Sequence, residues 1–276
     1  MKLSALLVQS VLAAAALALP SKLGRGLRLT QRETGNDSTV SPTYNPTWAG
    51  VVLNAPQGTY QSVSATINVP TPKEPAGATG RHAASAWVGI DGDSCQNAIL
   101  QTGVDFHTDG REVWYHGACP PAPFSTGAHR VPRTAWYEWW PADTVYFDSL
   151  GVEAGDSLLL SVAATSPVTG SATITNVATN QTVTQELWSA HALCMQDADW
   201  IVEDYGDRAV PFADFGTVAF AGAQARTAAG ATVGPQAAGE DTMDIKQHRR
   251  VLTSVETTDS SVTVTYIGDD AAGMQG

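Results

Sequence analysis

The sequence predicts an all-β domain, a sandwich or a barrel, on three observations. Polar and apolar residues alternate over short runs, the clearest covering nine residues at 61–69. Gly, Pro, Asn or Asp separates one run from the next. No long stretch keeps a 3.6-residue apolar period, so amphipathic helices do not compete with this reading.

The chain has 276 residues, enough for one large β domain or two small ones. Only 15% of it is charged, a composition common in secreted proteins, and the net charge is −12. Nothing basic is concentrated in the body, which speaks against a nucleic-acid partner.

Taken in order, residues 1–18 carry one Lys near the start, an apolar run from Leu3 to Leu17, and the small-x-small pattern Ala16-Leu17-Ala18. That pattern predicts a secretory signal; the run is short for a membrane span and no second one follows. Residues 19–43 hold Lys22, Arg25, Arg28 and Arg32 against only Glu33 and Asp37. The rest of the chain has 10 Lys and Arg against 25 Asp and Glu, a balance of −15. On charge alone a basic leader before an acidic body is either a docking propeptide or a solvated linker.

Strands are expected at 61–69, 157–164, 171–177, 182–187 and 261–267. Two more fall within 86–106, AWVGIDGDSCQNAILQTGVDF. Alternation puts Trp87 and Asp91 on one face there, and Ile99, Gln101, Gly103 and Asp105 together in the second strand. Residues 71–80 are rich in Pro and Gly and read as a loop. Residues 108–133 contain Pro120, Pro121 and Pro123, with Cys119, His116 and His129, and read as an inserted surface loop or hairpin extension. Residues 221–240 are rich in Ala and Gly and poorly patterned, and 269–276 read as a flexible tail. Asn36 and Asn180 begin Asn-x-Ser/Thr triplets, possible glycosylation acceptors.

On straight strands Trp136, Glu138 and Trp140 share a face, and so do Asp199, Ile201 and Glu203. Four segments then offer carboxylates or an amide to one surface, with indoles beside them. Such a face suits an extended polymer, peptide or sugar; the plainer alternative is half-buried core tryptophans with a solvated acidic rim. No Gly-x-Ser-x-Gly elbow, His-Glu-x-x-His or other zinc spacing occurs, and Cys119 has no His-paired context. These absences leave carboxylates to carry any hydrolysis, without metal or cofactor.

AWVGIDGDSC, AILQTGVDF, AWYEWW and DWIVEDY, together with the Trp48 segment PTWAG and in this order, resemble the fungal glutamic peptidases, the eqolisins. The likeness runs from Trp48 to Phe220 and more loosely to Ile267. It implies an antiparallel two-sheet β-sandwich of the concanavalin A-like lectin type, spanning 44–268, and a removable basic propeptide at 19–43 that inhibits the enzyme from within. It implies a secreted acid endopeptidase acting on proteins and peptides, without cofactor or membrane partner, and a monomer is expected. Glu203 matches the catalytic glutamate and Gln101 its partner. Asp91, Asp105 and Glu138 match supporting positions, and Trp48, Trp87 and Trp136 match the walls of the cleft. Cys95 and Cys194 match a disulfide, leaving Cys119 odd. Trp140 stands where relatives have Tyr, Thr134 where a relative has Asp, and Asp199 where relatives have Glu. The rival readings are an acid glycoside hydrolase using Glu138 and Glu203, or a carbohydrate-binding lectin, on the same sandwich.

Overall fold

A computed structural model describes residues 42–114, 135–205 and 210–268. Eighteen strands, and no helix, make up the regular structure of these residues. In chain order they are β1 (Thr43–Asn45), β2 (Trp48–Asn54), β3 (Tyr60–Asn68), β4 (His82–Ile90), β5 (Ile99–Thr108), β6 (Val113–Trp114), β7 (Ala135–Trp140), β8 (Val145–Tyr146) and β9 (Ser157–Ser166). There follow β10 (Thr169–Asn176), β11 (Gln181–Trp188), β12 (Asp197–Glu203), β13 (Thr217–Thr227), β14 (Thr232–Val233), β15 (Glu240–Gln247), β16 (Arg250–Val251), β17 (Thr253–Thr258) and β18 (Ser261–Tyr266).

The strands form two sheets. The first runs β1-β15-β2-β12-β4-β5-β7-β8, with β16 on β15 and β6 on β5. The second runs β11-β10-β9-β3-β13-β18-β17, with β14 on β13. Pairing is antiparallel except at one edge, where β1 lies parallel to β15. The expected sandwich is therefore found, with one parallel pair that strand alternation does not announce.

Alternation explains why the sheets stack. In β9, Leu158, Leu160, Val162 and Ala164 are buried while their neighbours are not. From the facing sheet Val51, Leu53, Ala86, Val88, Leu100 and Val104 meet them in one core. Each such Val or Leu side chain taken from water stabilises the fold by about 1.5–3 kcal/mol before chain entropy is set against it. Trp200 belongs to this core and donates its indole N–H to the Ser64 carbonyl of the opposite sheet at 3.1 Å.

β4, β5 and β12 are buried at every position, on both faces. A second apolar cluster explains this, on the face turned away from the other sheet: Trp48, Val52, Trp87, Ile99, Trp136, Ile201 and Met243, with Trp140 and Tyr146 packed at its edge. The functional candidates share that outer face.

Three expectations are refined. Residues 221–227, poorly patterned in the sequence, continue β13; a register shift between Ala221 and Gln224 at Gly222 hides the period. The segment after β5 begins as a hairpin, β6 returning to pair with His107 and Thr108, while the remainder of the 108–133 insertion with Cys119 lies outside the described residues. Thr43, assigned to the leader, is the first residue of β1. The signal at 1–18, nearly all of the leader, Asn36 and the 269–276 tail also lie outside the described residues. Asn180 is exposed in the turn between β10 and β11.

Candidate active site

Sheet register sets the site out as rungs. One rung on the outer face reads Val52, Asp199, Gly89, Gln101, Glu138 across β2, β12, β4, β5 and β7. The next reads Gly50, Ile201, Trp87, Gly103, Trp136, Tyr146. The third reads Trp48, Glu203, Ser85, Asp105. Side chains two residues apart share a face, so the three rungs present one surface.

Large rings on this surface need small neighbours. At Gly103 an added Cβ would collide with the Trp87 backbone and Cβ. At Gly89 it would lie 2.9 Å from Trp87 Cζ3 and 3.3 Å from Asp199 Oδ2. The Trp87 indole thus lies beside Gly89, while its other side donates Nε1–H to Glu203 Oε2 at 2.8 Å. Trp48 meets Trp87 edge to face, with centroids 5.0 Å apart. The Trp48 strand is aligned at its start by Asn45, whose side-chain oxygen accepts the N–H groups of Thr47 and Trp48 at 2.9 and 3.0 Å.

Gln101 donates Nε2–H to Glu138 Oε2 at 2.7 Å, and its Oε1 is buried without a partner. Asp105 accepts Trp136 Nε1–H at 2.9 Å and the Tyr146 hydroxyl at 2.7 Å. Gln101 and Glu203 themselves lie two strands and two rungs apart, with Trp87 between them, and Gln101 is bonded to Glu138 rather than to Glu203.

A set of acids closes the other end of the surface. Asp91, at φ 68°, accepts the N–H groups of Met195, Gln196 and Asp197. Asp197 accepts those of Ser94 and Cys95 and the Ser94 hydroxyl. Burial pushes both carboxyls up, and these hydrogen bonds oppose the shift. Asp199 is fully buried and neither of its oxygens has a partner. Burial, then the charges of Asp197, Asp91 and Asp93, raise it well above the ordinary carboxylate range. The Cys95–Cys194 disulfide ties the two segments that cradle these acids.

Of the residues expected at the site, Trp48, Trp87, Gln101, Asp105, Trp136, Glu138, Trp140 and Glu203 come to the one surface. Asp91 departs from expectation: its carboxyl is spent on the 195–197 amides and does not reach Gln101 or Glu203. Tyr146 and Ser85 were not anticipated. Tyr146 lies in a two-residue strand with no readable period, and Ser85 is a small polar residue in an apolar run, its hydroxyl buried without a partner on the rung of Glu203. Asp199 was legible as sharing a face with Glu203, but nothing in the sequence placed it opposite Gln101. A cavity of about 400 Å³ lined by Thr43, Asn54, Asp93, Ser94, Gly239, Glu240 and Asp241 lies at the rim and includes neither Gln101 nor Glu203. Among the described residues no group of three or more His, Cys, Asp or Glu is arranged to hold a metal.

Known proteins share this plan. Aspergillopepsin-2 of Aspergillus niger is 37% identical across 97% of this chain and its own full length. Scytalidopepsin B of Scytalidium lignicola is 37% identical over 63% of this chain and 60% of its own. Scytalido-glutamic peptidase, crystallised with a peptide-based transition state analog, superposes with a TM-score of 0.64 at 31% identity, covering 81% of this chain and all of that one. The aspergilloglutamic peptidase of Aspergillus niger superposes at 0.57 with 43% identity, over 67% of this chain and 99% of its own. Residues 46–266 match the model of the Peptidase A4 family, so the chain belongs to that family of glutamic peptidases, hydrolases of peptide bonds.

Proposed function

We propose that this chain is a secreted acid endopeptidase that cleaves peptide bonds with Glu203 and Gln101. The observation that carries the reading is that both side chains arise from one aromatic-walled sheet face, each held by a dedicated partner, Trp87 for Glu203 and Glu138 for Gln101. An extended substrate laid on this face would lie between them.

In the proposed reaction Glu203, as carboxylate, takes a proton from a water, and that water attacks the scissile carbonyl. The Trp87 N–H holds the carboxylate in place without competing as an acid. Gln101 has two amide hydrogens; Glu138 takes one, and the other is available to the developing oxyanion. Glu203 then returns its proton to the leaving nitrogen. An amide donor does not titrate, so the oxyanion site survives acid; free glutamate has a pKa of about 4.3, so a glutamate base suits acidic conditions. No step needs a metal or cofactor.

The basic segment at 19–43 fits the acidic body as an inhibitory propeptide, removed after the signal at 1–18 during secretion. The mature chain would begin near β1, where Thr43 bonds Asp241 and Lys246 sits over the Tyr44 ring. It would act as a monomer. The glycosidase reading is disfavoured because Glu138 is engaged as the acceptor for Gln101.

Digestion of a denatured protein by the secreted chain at acidic pH tests the proposal, with Glu203→Gln as control. Cleavage by the wild type and none by the variant is expected. Equal cleavage by both, or none by the wild type, would overturn it.

A further inference from the structure

Two unpartnered groups of the outer face sit on one rung. Gln101 Oε1 is buried with no donor, and both oxygens of Asp199 are buried with no partner. Gly89 is the one residue between them on that rung, and the place its side chain would fill is shared by the edge of the Trp87 ring, 2.9 Å away, and Asp199 Oδ2, 3.3 Å away. A buried carbonyl oxygen wanting a donor and a buried carboxyl group with neither oxygen used therefore share one rung, beside the edge of the Trp87 ring. A buried polar group left so is costly, and an ionised carboxylate can only accept.

We propose that Asp199 serves the reaction as a neutral carboxylic acid that donates to Gln101 Oε1, directly or through one water, and so fixes the amide from the side opposite Glu138. It is a positioning residue for the proposed oxyanion donor, and the inference rests on the Glu203–Gln101 reading. Glu138 accepts one amide hydrogen, Asp199 satisfies the carbonyl, and the second amide hydrogen is left pointing at substrate.

The surroundings favour that state. Three carboxyls are crowded here, and backbone N–H groups cradle only two of them, Asp91 and Asp197. The proton belongs on the third. The groups facing Asp199 are Asp91 beyond β4, Asp93 in the loop that follows, Asp197 on its own strand, the Tyr60 phenol from β3, Asp241 across Val52, and Glu138 beyond Gln101. All are acidic or neutral, so none of them favours an ionised Asp199. Ionisation would set a negative charge against the amide carbonyl and turn the N–H groups of Gln101 toward Asp199, away from substrate. Activity should therefore fall as Asp199 loses its proton, on the alkaline side.

The test compares Asp199→Ala with Asp199→Asn in the full secreted and matured chain, with kcat and KM taken from about pH 3 to about pH 7. Asp199→Ala should lower kcat about 10- to 100-fold with KM little changed, as for a misplaced oxyanion donor. Asp199→Asn keeps a donor that cannot titrate; it should restore most of that loss and carry the alkaline limb to higher pH. A folded Asp199→Asn as poor as Asp199→Ala would overturn the proposal while leaving Glu203 and Gln101 in place. A fully active Gln101→Ala would instead bring down the underlying reading, and this inference with it. If Asp199→Ala does not fold, the infrared carbonyl band of a buried protonated acid decides. It should appear in the wild-type minus Asp199→Asn difference spectrum at about pH 5, above the ordinary Asp range, where the band of Asp244, common to both proteins, cancels. Its absence from that difference spectrum would sink the idea.

Discussion

Gln101 and Glu138 face each other on adjacent strands of one rung, and the amide nitrogen lies 2.7 Å from the carboxyl oxygen. Both residues are buried. A hydrogen bond to a carboxylate gives the amide a direction, since the reverse orientation would set its carbonyl against a negative charge. In the proposed mechanism one hydrogen is thereby committed to the protein and one is kept for substrate. There the two glutamates take different roles: Glu138 would orient Gln101, and Glu203, on another strand and bonded by the Trp87 indole, would exchange protons.

Gln101→Ala and Glu203→Ala should each remove most peptidase activity and leave the fold intact. Losing one oxyanion donor costs about 100- to 1,000-fold in turnover. Because the two act on one event, the double variant should be little worse than Glu203→Ala. Glu138→Gln still presents an oxygen to Gln101, so it should lose only about tenfold, the worth of one weakened hydrogen bond. Single-turnover rates at acidic pH, with near-UV circular dichroism as the folding check, decide this. Near-normal turnover by a folded Gln101→Ala would count against the mechanism. An inactive Glu138→Gln beside an active Gln101→Ala would point to two-carboxylate chemistry.

Trp87→Phe keeps an aromatic ring beside Gly89 but removes the N–H that Glu203 accepts. Hydrogen bonds to charged groups contribute about 1.5–3 kcal/mol, so kcat should fall roughly 10- to 100-fold. KM should move less, because the ring surface remains. Trp136→Phe removes the N–H bound to Asp105 and makes a useful contrast, since that bond reaches neither Gln101 nor Glu203. A larger kcat loss in Trp136→Phe than in Trp87→Phe would show that the indole of Trp87 does not position the base.

Much of this arrangement was legible before the fold. Alternation alone put Gln101 with Asp105, Trp136 with Glu138, and Asp199 with Glu203, because a strand has a strict two-residue period. Short runs broken by turn residues indicated a sandwich or a barrel, and the resemblance to the eqolisins implied two sheets. What alternation cannot carry is register between strands distant in sequence. That Asp199 of β12 lies on the rung of Gln101, with Gly89 between, depends on pairings across about a hundred residues of chain. Tyr146 was hidden because its strand has only two residues, and alternation could not show that Asp91, at φ 68°, gives its carboxyl to the 195–197 amides.

The Cys95–Cys194 bridge closes a loop of 99 residues. Chain-entropy reasoning gives such a loop about 4–5 kcal/mol, and measured values are commonly lower. Replacing both cysteines by serine should lower the urea midpoint by the equivalent of about 2–4 kcal/mol. It should also loosen the 91–98 and 194–197 segments that hold Asp91 and Asp197. Non-reducing peptide mapping gives an independent check, and a Cys119 cross-link to either residue would contradict the pairing.

The buried acids predict that this fold is more stable in mild acid than at neutrality. Asp244, on β15, is pushed up by burial to about 6, with the Thr253 hydroxyl, 3.0 Å away, pulling the other way. Burial likewise raises Asp91, Asp197 and Asp199. In the unfolded chain each returns to the ordinary Asp range near 3.9. Between the two values the folded state binds more protons, so folding is favoured as pH falls. For Asp244 the gain begins as pH drops through about 6 and is complete below about 4; at most it is worth about 3 kcal/mol. Asp244→Asn keeps an oxygen for Thr253 and has no proton to lose. It should match or exceed the wild type above about pH 6 and show a flatter dependence below. Urea midpoints from about pH 4 to about pH 7.5 test both statements. A wild type that loses stability as pH falls from 7.5 to about 5 would show that these carboxyls are ionised in the fold, and would remove the support they lend to a protonated Asp199.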